Sequence, residues 1–219
     1  MLAIDTHRGH LDPDIATMPV SADIATEVVE ASARLLAATR DAGIPTAFLV
    51  MHNRTVKGES EYLRNPFWRA IEDVRESLTP ELPSTIRGHN LVGSPQTEVM
   101  PELAPEPGDL IVTSKHRLSS FIDTDLESWL RTLGVETLLL IGINTNTCVQ
   151  CAAFEAFNRD YGVVVVSDCV HSMYGEDLHE FGLQNVARCI GWVLDVDGVI
   201  EKLQGSESAT PADAAAVGA

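Results

Sequence analysis

The sequence predicts a three-layer α/β/α fold around a mainly parallel sheet, and three features of the chain lead there. Short apolar runs bounded by loops alternate with longer runs of helical period, the pattern of parallel α/β proteins. The two strongest runs, LLLIG and VVVVSD, are apolar throughout, as strands covered on both faces by helices are. A chain of 219 residues that is 45% hydrophobic and 21% charged is also the right size and composition for one well-buried core.

Strands are expected over residues 2–5, 45–51, 109–113, 137–141 and 163–167. Between the first two, Ile24, Val28, Ala31 and Leu35 recur at helical spacing, and Gly43 supplies the stop of a helix over 22–42. A helix over 125–133 aligns Leu126, Trp129, Leu130 and Leu133, with Thr124 and Glu127 as a capping-box pair and Gly134 as its end. A last helix is expected over 177–193. The stretch 52–108 is rich in Pro, Gly and charge, with helices near 66–78 and 96–103, and reads as a lid or subunit contact. Residues 204–219 lack Leu, Ile, Phe, Trp and Tyr, so the domain is expected to span 1–203 and the tail to be disordered.

A formal net charge of -17 argues against nucleic acid or an anionic membrane as partner and leaves a small molecule or a protein. No apolar stretch approaches bilayer length, and MLAIDTHRGH meets an Asp where a signal peptide needs an apolar run, so a cytoplasmic address is expected. Cys148, Cys151, Cys169 and Cys189 are then free thiols rather than a disulfide framework.

In open α/β sheets ligands bind beyond the carboxyl ends of the strands. Three of those ends carry reactive side chains: Asp5, Lys115, and Cys148 within GINTNTCV. Cys148 precedes a run of good helix formers, so its thiol would sit in a first helical turn at the positive end of the dipole. Lys115 would favour the thiolate further, and Asp5 could take the thiol proton and return it to a leaving nitrogen. Amides in the tight turn could stabilise an oxyanion. Each residue also has a plainer reading, as a small core residue, a solvated lysine and a turn aspartate. Spacing alone does not decide between them.

The run from SKHRLSSFIDTDLESW through LLLIGINTNTCVQCAAF to VVVVSDCVHS resembles the central signature of the isochorismatase-like cysteine hydrolase superfamily. The matching residues are Lys115, Ser120, Phe121, Thr124, Leu126, Gly142, Thr145, Cys148, Val149, Gly162 and Asp168, with Asp5 as the early acid, and the resemblance covers roughly the first 200 residues. It implies a Rossmann-like sheet and a Cys148 nucleophile attacking an amide. It implies Asp5 as general base and acid, with Lys115 supporting the thiolate. A cis peptide between Ile143 and Asn144, an oxyanion hole from the amides of Asn144 and Cys148, and a homo-oligomer, dimer or tetramer, also follow from it. The expected activity is hydrolysis of a C–N bond in a small amide, ureido or carbamoyl compound through a thioester, without a cofactor.

Two departures from that family limit the transfer. The loop DTHRGHLDP lacks the usual polar residue and Asp-Phe after the early Asp, so substrate contacts there do not carry over. VMHNRTV lacks the Asp-x-His of the metal-binding nicotinamidases, so no metal is expected, although His7, His10, His52 and His89 could offer ligands. Rival readings are an isochorismatase-type vinyl ether hydrolase, which needs no Cys nucleophile, and a thiol redox protein using Cys148 and Cys151 as C-x-x-C.

The segments HRGH, HNR and KHR place Arg8, Arg54 and Arg117 near strand ends, beside His7, His10, His52 and His116. Arg forks suit carboxylates, so an acidic substrate is expected to meet Arg8, His52, Arg54 or Arg117, with Phe121 as a pocket wall. Cys169, Cys189, Trp129 and Trp192 are expected in the core, His171 at a helix start and His179 on the surface.

Overall fold

The structure, a computed structural model, describes residues 1–78 and 85–207. In chain order it forms β1 (Leu2–Ile4), α1 (Arg8–Leu11), α2 (Ala22–Asp41), β2 (Ala47–Met51), β3 (Thr55–Val56), β4 (Glu59–Ser60) and α3 (Pro66–Leu78). There follow β5 (Leu110–Lys115), α4 (Leu126–Thr132), β6 (Thr137–Ile143), α5 (Gln150–Phe157), β7 (Gly162–His171), α6 (Glu176–Cys189), β8 (Trp192–Leu194) and α7 (Val196–Glu207). Six strands make one sheet in the order β5-β2-β1-β6-β7-β8, every neighbouring pair parallel. β3 and β4 form a separate antiparallel hairpin.

Alternation along the strands produces the three layers. Leu2 and Ile4 face one side of β1 and Met1 and Ala3 the other, because successive side chains point to opposite faces. On the first side Leu126 and Leu130 of α4, Ala152 and Ala153 of α5 and Val186 of α6 cover the sheet. On the second, Leu35 and Leu36 of α2 and Val196 and Val199 of α7 do so. Each fully buried Leu or Val contributes roughly 1.5–3 kcal/mol relative to exposure, which is why the all-apolar runs settle at the centre of the sheet.

Helix α2 starts where Ser21 accepts the Ile24 N–H and stops at Gly43, whose φ of 69° the left-handed region favours for glycine. Helix α3 occupies the expected 66–78. Elsewhere the structure corrects the sequence reading. The helix expected over 96–103 is two short 3₁₀ turns, Pro95–Thr97 and Pro101–Leu103, because Pro101 lacks the N–H a continuous helix would require. Thr124 does not form a capping box with Glu127: its hydroxyl donates to the Ser120 carbonyl, while Glu127 pairs with Arg131 and Arg159. The last expected helix ends at Cys189, and β8 and α7 follow, neither anticipated. Residues 204–207, assigned to the tail, close α7, and the rest of the expected tail, 208–219, lies outside the described residues.

The sheet positions the site through its connectivity. From β1 the chain proceeds outward to β2 and β5, and β6 opens the other half toward β7 and β8, so β1 and β6 flank the point where strand order reverses. The crevice at such a point is where open parallel sheets bind ligands. Asp5 follows β1 and Asn144 follows β6.

Gly142 sets how closely these strands approach. Its φ is 120°, and a Cβ there would stand 1.7 Å from the Ile4 carbonyl oxygen. Gly142→Ala is expected to lower unfolding stability by more than about 2 kcal/mol, since both the backbone region and the backbone of β1 oppose the methyl group. Chemical denaturation checks this, and a shift below a few tenths of that value would show that β1 can move aside.

Candidate active site

Three strand ends deliver three buried groups to one place. Asp5 and Lys115 are both 0% exposed and Cys148 is 3% exposed. Lys115 Nζ lies 2.6 Å from Asp5 Oδ2 and 3.6 Å from Cys148 Sγ, so the ammonium bridges carboxylate and thiol. Asp5 is held from several sides. Its backbone adopts φ 53°, its N–H donates to the Leu49 carbonyl, and its Oδ1 accepts the Met51 N–H at 2.9 Å. The left-handed conformation costs a non-glycine residue of order 1 kcal/mol, and it aims the carboxylate across the strand end.

Cys148 does sit at a helix start, within a π-helical turn, Thr145–Val149, that leads into α5. The Ile143–Asn144 peptide ahead of it is cis, as the resemblance implies. Asn144 carries its side-chain oxygen to the Met173 N–H at 2.9 Å, and its own N–H has no acceptor among the described residues. Asn144 and Cys148 line the same cavity.

The electrostatics revise one expectation. Burial pushes the Cys148 thiol from 9.0 up to about 12; Lys115 pulls it down and Asp5 pushes it up. The resting group is therefore a neutral thiol rather than a standing thiolate. Burial disfavours the charge of Lys115, yet Asp5 and then Cys148 hold its pKa above the usual lysine value. The positive charge stays in place to receive a negative sulfur once the thiol proton leaves.

A cavity of about 50 Å³ opens at Cys148, walled by His10, Met18, Met51, Ile86, His89 and Tyr174. It shares Tyr62, Trp68 and Leu118 with a larger outer chamber of about 500 Å³ that is lined also by Glu61, Arg64, Asn65, Arg117 and Ser119. Of the five substrate-binding candidates, Arg117 lines the outer chamber, its guanidinium 5.5 Å from the Tyr62 ring centre. Arg8 heads α1 and turns outward onto Asp12 at 2.8 Å and Glu98 at 3.0 Å. Arg54 is drawn to Glu61, which the β3–β4 hairpin brings back beside it at 2.9 Å. His52 Nδ1 is tied to the Val50 carbonyl at 3.1 Å, away from both cavities. Phe121 is buried behind Cys148 in the apolar layer, with the Arg159 guanidinium 4.5 Å from its ring centre, and is not a cavity wall.

Sequence reasoning overlooked the wall itself. His7 stacks on His10 with ring centres 5.0 Å apart, His89 packs tilted against His10 at 4.9 Å, and burial holds all three below the usual histidine value, hence neutral. His10 Nδ1 lies 2.7 Å from the Met18 carbonyl, which can only accept, so Nδ1 carries the proton and Nε2 is an acceptor with no partner among the described residues. Asn90 Nδ2 donates to His7 Nε2 at 2.9 Å, and that nitrogen is 3.7 Å from Asp5 Oδ1. The sequence offered His7, His10 and His89 only as possible metal ligands and did not place His10 and His89 on a cavity wall.

Among the described residues, no group of three ligating side chains forms from His7, His10, His52 and His89. The other bland assignments divide. Cys169 is buried and Trp129 packs against the core, but Cys189 is exposed and Trp192 is 63% exposed on the edge strand β8. His171 ends β7 rather than starting a helix, and His179 is buried rather than on the surface.

A thiol displaced to about 12 has a distinctive pH signature. Its thiolate fraction keeps rising about tenfold per pH unit through the alkaline range, where an ordinary thiol levels off above its pKa. Alkylation of Cys148 by iodoacetamide, followed by mass spectrometry of its peptide, should climb without a plateau up to about pH 10. A plateau beginning near pH 8 would mean that Lys115 has overcome burial.

The isochorismatase domain family matches residues 1–198. Over 221 aligned residues the chain is 34% identical to the ureidoacrylate amidohydrolase RutB of Methylobacterium radiotolerans, covering 98% of this chain and 82% of that protein. Its fold superposes with a TM-score of 0.72 on an isochorismatase-like hydrolase from Alkaliphilus metalliredigens at 23% identity, covering 92% and 95% of the two chains. An isochorismatase family protein from Burkholderia thailandensis gives a TM-score of 0.67 at 28% identity, with 93% and 94% covered. With the buried Asp5, Lys115 and Cys148 at the switch point of its sheet, the chain belongs to the isochorismatase family.

Proposed function

We propose that the chain hydrolyses the C–N bond of a small ureido or carbamoyl acid, with Cys148 as nucleophile, Asp5 as proton carrier and Lys115 as fixed positive charge. The observation that carries this reading is the ammonium bridge, 2.6 Å to the carboxylate and 3.6 Å to the sulfur, at a cavity that the nucleophile lines. Asp5 takes the thiol proton as sulfur attacks the carbonyl carbon, so charge moves from carboxylate to sulfur while Lys115 faces both. The carbonyl oxygen becomes an oxyanion that the Asn144 and Cys148 amides can receive. Asp5 returns the proton to the leaving nitrogen, the C–N bond breaks, and a thioester remains. Water then attacks that thioester, giving one proton to Asp5 and its hydroxyl to the acyl carbon, and the proton passes back to sulfur.

Two further features narrow the substrate. The lone-pair Nε2 of His10 suits an N–H donor next to the scissile carbonyl, which a ureido or carbamoyl group has and an ester lacks. Arg117 and Arg64 on the outer chamber suit a carboxylate at the other end, and the relative named above is a hydrolase of ureidoacrylate, itself a ureido acid.

Cys148→Ala and Cys148→Ser are expected to abolish turnover of such a compound while leaving the fold intact. Arg117→Ala should reduce kcat/KM about 10- to 100-fold for the acid and far less for its neutral amide isostere. Near-normal turnover by Cys148→Ala refutes the nucleophile, and equal losses for acid and isostere refute the carboxylate clamp.

The exposed Phe154 and Phe157 of α5 and Phe181 of α6 support assembly with a second copy of the chain in the cytoplasm. Sedimentation is expected to give a dimer or larger at micromolar concentration, and a monomer alone would refute it.

A further inference from the structure

We propose that His171, Glu176 and His179 form a binding site for a divalent transition-metal cation of the zinc class, apart from the reacting groups and joined to the nucleophile turn through Thr145. His171 ends β7, the chain turns at Gly175, and Glu176 opens α6 with His179 three residues on, on the same helical face. A ligand atom of each residue lies within 4.8 Å of the others. His171 Nε2 is 3.2 Å from a Glu176 carboxylate oxygen, and the two imidazoles are nearly parallel, 10° apart, with centres separated by 4.3 Å. The Glu176 side chain is 65% exposed, so an ion can enter from solvent.

The surroundings suit the ligands. His179 Nδ1 lies 2.8 Å from the Thr145 hydroxyl, and donation from Nδ1–H leaves Nε2 as a lone-pair donor to a cation. His171 Nε2 faces the Glu176 carboxylate, and its Nδ1 lies 3.3 Å from the Ser172 carbonyl, an acceptor for Nδ1–H in the tautomer that leaves the Nε2 lone pair free. A cation sits between that nitrogen and the carboxylate. Two imidazoles and one carboxylate favour zinc, cobalt or nickel over calcium and magnesium, which take oxygen donors. Water completes the coordination shell.

The site is continuous with the turn that carries Cys148. Ser172 Oγ donates to Asn146 Oδ1 at 2.7 Å, and the Met173 N–H donates to Asn144 Oδ1 at 2.9 Å. Together with His179 on Thr145, these bonds attach one short segment to three successive residues of the nucleophile loop. A cation that ties β7 to α6 braces that loop from behind.

The test uses the full chain with Cys148→Ser, which removes the nucleophile as a competing thiolate, stripped by chelator and titrated with Zn²⁺ by calorimetry and with Co²⁺ by visible absorption. One ion per chain is expected, with cobalt d–d bands and no thiolate charge-transfer band. Zn²⁺ should raise the melting temperature. Glu176→Gln and His171→Asn, both on solvent-accessible side chains, should each weaken binding about tenfold or more and remove the thermal shift. Absence of saturable binding, equal affinity in both variants, or a charge-transfer band that places the ion on a cysteine would overturn the proposal. None of these readouts depends on hydrolysis.

Discussion

The buried ion pair between Asp5 and Lys115 is the constraint on which the site depends. Two charges fully removed from water cost several kcal/mol each before their attraction is counted, and a pair of apolar side chains would fill the same space more cheaply. The fold offsets that cost with a 2.6 Å contact, a backbone N–H on the other carboxylate oxygen, and two strand ends, on either side of β2, that hold both groups in place. Such a pair makes chemical sense as a proton acceptor held beside a fixed positive charge. Removing either partner leaves the other charged and unpaired inside the sheet, so structure and chemistry would fail together.

The same pair explains why a high thiol pKa is compatible with nucleophilic function. Burial pushes the thiol well above its ordinary value, so at neutral pH the protonated sulfur is the resting form. Sulfur need not be charged beforehand if its proton has somewhere to go during attack. In the proposed reaction Asp5 is that acceptor, and Lys115, in contact with both, faces the negative charge before and after it moves. A preset positive charge requires no reorganisation at the moment of transfer, which is where electrostatic catalysis gains most.

Much of this was legible in the sequence because it was encoded at strand ends. Apolar runs locate β1, β2, β5, β6 and β7 to within a few residues, and a residue immediately after such a run has little freedom in where it points. Asp5, Lys115 and Cys148 were readable for that reason. Arg8, Arg54 and Phe121 follow strand ends or turns just as closely, yet each lies where a local partner draws it: Asp12 four residues along a helical turn, Glu61 across a hairpin, and the Arg159 guanidinium over a ring. Those partners depend on side-chain direction, which period and spacing do not carry. β8 and α7 were missed because α6 stops at Cys189, and Gly191 beyond it lets the chain pass close to the Val163 backbone, a tertiary contact that spacing does not carry.

The histidine wall reconciles an acidic protein with the anionic substrate proposed for it. A net charge of -17 repels an acid at a distance, but that field is screened within about 8 Å at physiological ionic strength, so discrimination falls to groups inside the chamber. Arg117 and Arg64 act there, at the outer end. At the inner end, further positive charge would compete with Lys115 for Asp5 and hinder proton transfer from sulfur. His10 and His89 avoid this by being buried enough to stay uncharged while still presenting ring nitrogens to a polar group. Neutral imidazoles thus let the inner cavity read hydrogen bonds without altering the charge balance of the ion pair beneath it, which leaves charge recognition and proton chemistry to separate ends of one passage.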